Sequence, residues 1–413
     1  MKLYGRRSSL ESNSSLKSSE LDSLVEVLQG RLHSLTVGLS HSWGGLEQVA
    51  ANDSLDLGAL GLKVQVLCLR GSPIYEYLAP RKEVSLLPLD FRPRNYFDLK
   101  MRPVLHQVIK EGVNLVHIHQ TSLLGSVVPW LWERQHSKVA LLATRHIMNN
   151  HNKKDFFHRA LYRRVDSLIV MSHMLRRNVL ETHAIREKDV KVVNLGLDFD
   201  LFDPDKVSPD EQRALWGATP ETVVIGLVGR IDPAKGQSTF IKAAAGLMKN
   251  LRAGEQLKFV IVGEETLGSV GNHLEELRQM VSQFRLGDHV VFAGYQSNIP
   301  EIMRAFDIFV MPSRQEAFGL VAIEAMAMEC PIVISSGGSA EEIVGKEEFG
   351  LIIKPDDAFD LQRQLRYLLD HPLERVHMGQ KARNHVMANY DRKKRIVKTL
   401  TLYERSLRRR RAL

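Results

Sequence analysis

A chain of 413 residues with 44% hydrophobic and 25% charged side chains is too long for one core, and this composition excludes a disordered or fibrous protein. Two cysteines, Cys68 and Cys330, each in or beside an apolar run, read as buried thiols in a reducing compartment rather than as a disulfide scaffold. The net charge of +8 and a pI near 9.3 suggest an anionic partner: a nucleotide, a nucleic acid or an acidic membrane.

Residues 1–20 are Ser-rich, a composition expected to be disordered. Leu21, Leu24, Val25, Leu28, Leu32 and Leu35 follow at helical spacing and predict an amphipathic helix over Leu21 to Leu35. A strand–helix rhythm then begins. Continuous apolar runs predict strands at Leu35–Leu39, Val64–Leu69, Val84–Leu87, Leu115–His119, Val139–Thr144, Ser167–Met171 and Lys191–Leu195, with Pro88 ending the third. Helices fill the gaps, among them Leu46–Leu62, Leu99–Glu111 and Lys153–Arg164. The longest apolar run, near Leu123 to Trp132, falls well short of the ~20 residues of a membrane span, and the N-terminus has no apolar signal core. A cytoplasmic chain is expected.

Asp203, Pro204, Pro209 and Pro220 interrupt the rhythm and mark a linker over Asp198 to Thr222 with one short helix. The D-x-D of Asp198 and Asp200 reads as a turn. Strands resume at Val223–Val228, Lys258–Val262, His289–Ala293, Ile308–Met311, Ile332–Ser335 and Gly350–Ile353. Asp391 to Leu413 reads as one long basic helix with R-R-R-R near its end. Two successive βα domains leave a cleft between them.

The chain is organised around Asp307 to Gly338: a strand, a polar loop (Pro312 to Ala317), a helix expected over Phe318 to Glu329, and a second strand. Glu316 falls in the loop at the carboxyl end of the first strand, where open α/β sheets bind ligands, and Glu324 falls on the helix. The amides of Phe318, Gly319 and Leu320 at the helix start make a ready anion site. Upstream, in G-L-V-G-R-I-D-P-A-K-G, Gly229 and Arg230 follow a strand and Lys235 opens the next helix. A forked and a compact cation together suit a diphosphate, although two solvated charges would look the same. Gly263 after one strand, and Gly294 with Tyr295 after another, sit where glycines recur in nucleotide crevices, but either alone reads first as a plain turn. In the first half, Gly44 and Gly45 allow close backbone approach, and His119 and His146 end strands, as sugar-binding or structural imidazoles. His117 shares a strand side with His119. No G-x-x-x-x-G-K-[ST], G-x-S-x-G, exposed Cys or metal-ligand spacing is present.

In this order the residues resemble the family-4 retaining glycosyltransferases of GT-B fold, which include phosphatidylinositol mannosyltransferases and many polysaccharide and lipopolysaccharide enzymes. The resemblance covers nearly all of residues 35–405. Its most specific part is E-A-F-G-L-V-A-I-E (Glu316 to Glu324), the family's E-x7-E motif, with V-G-R and K-G upstream. It implies two Rossmann-like βα domains facing each other across a cleft. A Ser-rich extension of residues 1–34 precedes an acceptor-side domain over 35–200 and a donor-binding domain over 201–390. A basic helix over 391–413 crosses back to the first domain. It further implies transfer of a hexosyl-type group from a nucleotide-diphosphate sugar to a glycan or lipid-linked acceptor, with retention and without a metal or other cofactor, in cell-envelope polysaccharide or lipopolysaccharide synthesis. Arg230 and Lys235 would hold the diphosphate, Glu316 the sugar near its reacting carbon, and Glu324 the ribose. Gly229, Gly263, Phe318, Gly319, Leu320 and Tyr295 would line the donor side. His119 would lie near sugar and acceptor with Gly45 opposite, and His146 beside them. Nucleic acid is not expected as a partner. The alternatives are an epimerase, a sucrose- or trehalose-type synthase, or an inactive scaffold. Lys153, Lys154, Arg159, Arg163 and Arg164, interleaved with Phe156, Phe157, Leu161 and Tyr162, suggest either peripheral contact with the anionic inner face of the cytoplasmic membrane or an ordinary cleft-rim helix of the first domain.

Overall fold

The computed structural model describes residues 15–94, 96–149, 151–265 and 272–412. The chain divides into two compact units, one running to Leu195 and resuming at Arg392, the other spanning Gly196–Asp391. Each is a Rossmann-like unit built on a parallel sheet, the fold class expected.

The N-terminal unit contains α1 (Ser15–Leu28), β1 (His33–Gly38), α2 (Gly45–Ala59), β2 (Lys63–Leu69), α3 (Pro73–Leu78), β3 (Ser85–Leu89), α4 (Met101–Lys110), β4 (Leu115–Ile118), α5 (Leu124–Leu131), β5 (Ala140–Arg145), α6 (Phe156–Arg164), β6 (Ser167–Val170), α7 (His173–Thr182) and β7 (Val190–Val192). Its strand order is β3-β2-β1-β4-β5-β6-β7, so the direction of winding reverses between β1 and β4. Every residue of β1, β4, β5 and β6 is buried, as parallel strands covered on both faces require.

Three expectations need correction here. α1 begins at Ser15, inside the stretch expected to be disordered, and stops at Leu28, leaving Leu35 in β1; residues 1–14 lie outside the described residues. Pro88 does not end the third strand but sits within it opposite Cys68. That is tolerable because β3 is the sheet edge, where a missing N–H breaks no ladder on the open side. α6 starts at Phe156 rather than Lys153, since Asp155 caps it by accepting from the His158 N–H (3.1 Å). Of the side chains expected on a membrane-facing surface, Leu161, Tyr162 and Arg164 are buried, and Arg164 donates to the carbonyls of Leu131 and Val139.

The last helix, α16 (Arg392–Arg410), belongs to this unit. Ile396, Leu400, Tyr403 and Leu407 recur every three or four residues and bury one face in the same core as Leu21 and Leu28 of α1. Each large side chain so buried stabilises the unit by about 2 kcal/mol. The polar face is pinned as well. Arg395 forks onto Asp53 (2.9 and 2.5 Å), and Arg392 pairs with Asp56. The terminal arginines are not a free basic tail: Arg408 pairs with Glu404, Arg409 with Asp189 (3.2 Å), and Arg410 with buried Asp166 (2.9 Å).

The C-terminal unit contains α8 (Asp210–Leu215), β8 (Val223–Val228), α9 (Gln237–Lys249), β9 (Leu257–Val262), α10 (His273–Gln283), β10 (Val290–Gly294), α11 (Ile299–Arg304), β11 (Ile308–Met311), α12 (Leu320–Ala327), β12 (Ile332–Ser335), α13 (Ala340–Val344), β13 (Leu351–Ile353), α14 (Ala358–Asp370) and α15 (Pro372–Asn389). The order β10-β9-β8-β11-β12-β13 reverses between β8 and β11. The segment expected as a linker is part of this unit. Leu197 donates to the Tyr390 carbonyl (2.7 Å) and bridges to Asp391, so the two ends of the unit lie side by side. α12 is shorter than the helix expected over Phe318 to Glu329: Gly319 takes a left-handed φ of 85° before it, and Glu329 one of 61° after it. Both cysteines are buried and free; burial pushes the Cys68 thiol up to about 11 and that of Cys330 well above its ordinary value.

Candidate functional site

In open parallel sheets ligands bind beyond the carboxyl ends of the strands that flank the winding reversal. In the C-terminal unit these strands are β8 and β11. Gly229 follows β8, and an added Cβ there would meet open space. The chain then makes a tight turn. Asp232 accepts from the Ala234 N–H (2.8 Å), its carbonyl accepts from the Lys235 N–H (2.8 Å), and Gln237 holds the Arg230 carbonyl (2.8 Å). The turn aims Lys235 at the loop after β11, where its Nζ donates to Glu316 Oε2 at 2.6 Å. A backbone bond from the Arg314 N–H to the Ala234 carbonyl (2.9 Å) locks the two loops together.

Glu316 is fixed from a third side. Its N–H donates to the Gly337 carbonyl (2.8 Å), and its own carbonyl accepts from the Ser339 N–H (3.3 Å). Ser339 Oγ also holds the Phe318 carbonyl (2.6 Å). This S-S-G-G-S loop after β12 was missed as part of the site; its small residues at a strand end were the available signal. Lys235 and Glu316, with about a quarter of each side chain exposed, border a recess floored by Leu227, Val228, Val310, Met311 and Val321. Beside it, the backbone N–H groups of Phe318, Gly319 and Leu320 make no hydrogen bond among the described residues. Gly319 is favoured there by its left-handed φ of 85°, a backbone conformation that side chains strain.

Arg230 does not line that recess. It is half exposed and lies 3.4 Å from Asp232. Glu324 is buried on α12. Gly263 has a structural reason to be glycine, since a Cβ would fall 2.0 Å from the Gly229 carbonyl oxygen. Tyr295 is half exposed, its N–H reaching Glu264 (3.3 Å).

In the N-terminal unit the reversal lies between β1 and β4. Gly45 opens α2 after β1, with open space where a Cβ would be. His119 follows β4, and His146 follows β5 at 3.4 Å from it. Both imidazoles are buried. Burial, then neighbouring His146 and Arg395, holds His119 well below its ordinary pKa; burial and then Arg395 bring His146 down to about 3. Both are neutral hydrogen-bonding groups at neutral pH. His117 is structural, with Tyr403 Oη at 2.8 Å and Thr144 Oγ1 at 2.7 Å. Among the described residues no group of His, Cys, Asp and Glu is arranged to hold a metal ion, and no helix is long and apolar enough to cross a membrane.

Residues 43–201 match the model of Glycosyltransferase Family 4, and residues 209–385 that of Glycosyl transferases group 1. A D-inositol 3-phosphate glycosyltransferase of Corynebacterium aurimucosum is 30% identical over 375 residues, covering 83% of this chain and 86% of the relative. The lipopolysaccharide core biosynthesis mannosyltransferase LpsB of Rhizobium meliloti is 34% identical over 202 residues, 48% of this chain; the match spans only 53% of that relative's length. The structure of Anabaena HepE in complex with UDP-glucose superposes with a TM-score of 0.74 at 18% identity, covering 91% of this chain and 100% of that one, a likeness of fold.

Proposed function

Because the chain belongs to the glycosyl transferases group 1, nucleotide-sugar enzymes of GT-B fold, we propose that it moves a hexosyl group with retention to a glycan or lipid-linked acceptor in cell-envelope synthesis. The observation that carries this reading is the Lys235–Glu316 contact of 2.6 Å at the carboxyl ends of β8 and β11, beside the open amides of α12. As the bond between the sugar's anomeric carbon and the diphosphate oxygen breaks, positive charge develops on the sugar and negative charge on the phosphate. Lys235, Arg230 and the amides of Gly319 and Leu320 stabilise the departing diphosphate more than the bound donor. Glu316 orients Lys235 and faces the sugar, Glu324 takes the ribose, and Gly229, Gly263, Phe318 and Tyr295 shape the donor side. The acceptor hydroxyl attacks from the leaving-group face and passes its proton to the phosphate, so no separate base or metal is needed. His119, His146 and Gly45 contact sugar and acceptor.

The lipid-linked reading is supported by Phe156, Phe97 and Tyr96, exposed by 87, 55 and 45%, with Tyr96 and Phe97 packed on Phe157 and Lys154, Arg159 and Arg163 nearby in sequence. Such a surface suits peripheral contact with an anionic membrane. A panel of UDP-, GDP- and ADP-sugars, read by thermal shift and then by label transfer with NMR of the product's anomeric configuration, tests the proposal. An inverted product, or full turnover by Glu316→Ala, sinks it.

A further inference from the structure

Ser339 stands immediately before α13, where a serine hydroxyl ordinarily accepts from an N–H of the helix it precedes. Ser339 makes no such cap. Its side chain is buried, and Oγ instead donates to the Phe318 carbonyl at 2.6 Å, in the loop after β11. The Ser339 N–H donates to the Glu316 carbonyl (3.3 Å), so two carbonyls at alternate positions of that loop turn toward the loop after β12. Gly337 and Gly338 let the two loops lie this close. A Cβ would fall 2.0 Å from the Arg314 carbonyl oxygen at the first and 2.1 Å from that of Glu316 at the second.

A trans peptide points its N–H opposite to its carbonyl. Ser339 comes from the β12 side of β11, and the recess with Lys235 lies on the β8 side. A Phe318 carbonyl turned to Ser339 therefore turns the Gly319 N–H away from β12, toward the side of the recess. Among the described residues this peptide makes one hydrogen bond, the one from Ser339. Nothing in the backbone resists its turning over. Reversal would carry the φ of Gly319 from 85° to a negative value, and glycine takes either sign at similar cost. A reversed peptide would show a carbonyl oxygen to an approaching anion, a repulsive contact in place of a donor.

We propose that Ser339 is a positioning residue for the reaction: its hydroxyl holds the Phe318–Gly319 peptide with the Gly319 N–H facing the phosphate from which the sugar departs. The inference rests on the functional reading above, which gives that amide to the diphosphate. Ser339 itself touches no substrate and acts through the peptide alone. Its influence is tied to the terminal phosphate, where charge gathers as the sugar leaves, and is absent for a nucleotide that lacks this group.

The test is calorimetric titration of the full chain with UDP, GDP and ADP, and with the monophosphate of whichever base binds. Ser339→Ala should weaken the diphosphate by about tenfold or more and leave the monophosphate within about twofold. Ser339→Thr keeps the hydroxyl and should return the ratio of the two affinities to that of the unaltered chain. A serine that only props up the loop would weaken both ligands alike. An equal fall, or no fall, overturns the inference, as does a Ser339→Thr chain of unchanged melting temperature that binds like Ser339→Ala. Should Ser339→Ala not fold, Ser339→Cys, a weaker donor, should shift the ratio in the same direction to a smaller degree, and an unshifted ratio overturns the inference there too. If the unaltered chain binds none of the three diphosphates, the functional reading falls and takes this inference with it. Binding with a ratio indifferent to Ser339 leaves that reading standing and removes the inference alone.

Discussion

The two winding reversals of the molecule are built from the same topology but kept in opposite states. Beyond β8 and β11 the polar groups are partly wet and charged, as in the Lys235–Glu316 pair. Beyond β4 and β5 the imidazoles of His119 and His146 are dry and neutral. A charged, accessible crevice suits a polyanion that must arrive and leave. A dry, neutral one suits hydroxyl groups, which need hydrogen bonds of fixed direction rather than field strength.

The comparison can be broken in four places. Arg395→Ala removes one partner of a buried fork beneath the dry site and strands Asp53; the cost should be about 3–5 kcal/mol. Urea unfolding followed by tryptophan fluorescence would read it, since Trp43, Trp130 and Trp132 all lie in that unit. Next, Lys235→Ala should lower kcat by roughly 100- to 1000-fold, about 3–4 kcal/mol, with the melting temperature little changed. An equal loss of stability would mean that the wet pair is structural too. Third, pH should act on the dry side. His146 has a folded pKa of about 3 against an ordinary 6.5, so the unfolded chain takes up the proton first. Its stabilising contribution is complete above pH 6.5 and falls away as pH drops toward 3, by about 2 kcal/mol at pH 5. His146→Gln should flatten the descent of stability between pH 6.5 and 5. The smallest effect concerns the rim: Phe156→Ser should reduce sedimentation with anionic vesicles several-fold while leaving stability within about 0.5 kcal/mol. Unchanged sedimentation would remove the membrane contact.

Much of this was readable before any coordinates. The alternation of apolar strands and helices located both sheets, and Lys235 and Glu316 could be placed at one sheet end because each follows its strand within a few residues. What escaped depends on partners distant in sequence. Nothing near the terminal arginines tells of Asp166 and Asp189, more than 200 residues away. Pro88 looked like a strand end because the sequence does not say which strand lies at a sheet edge.

The pairing of Leu197 with Tyr390 and Asp391 has an evolutionary and practical corollary. Residues 196–391 form a cassette whose entry and exit meet within one hydrogen bond. A homologous cassette can be grafted there through two neighbouring junctions without rethreading α16 into its core, so residues 196–391 could be exchanged as a block while the N-terminal unit keeps its own sequence.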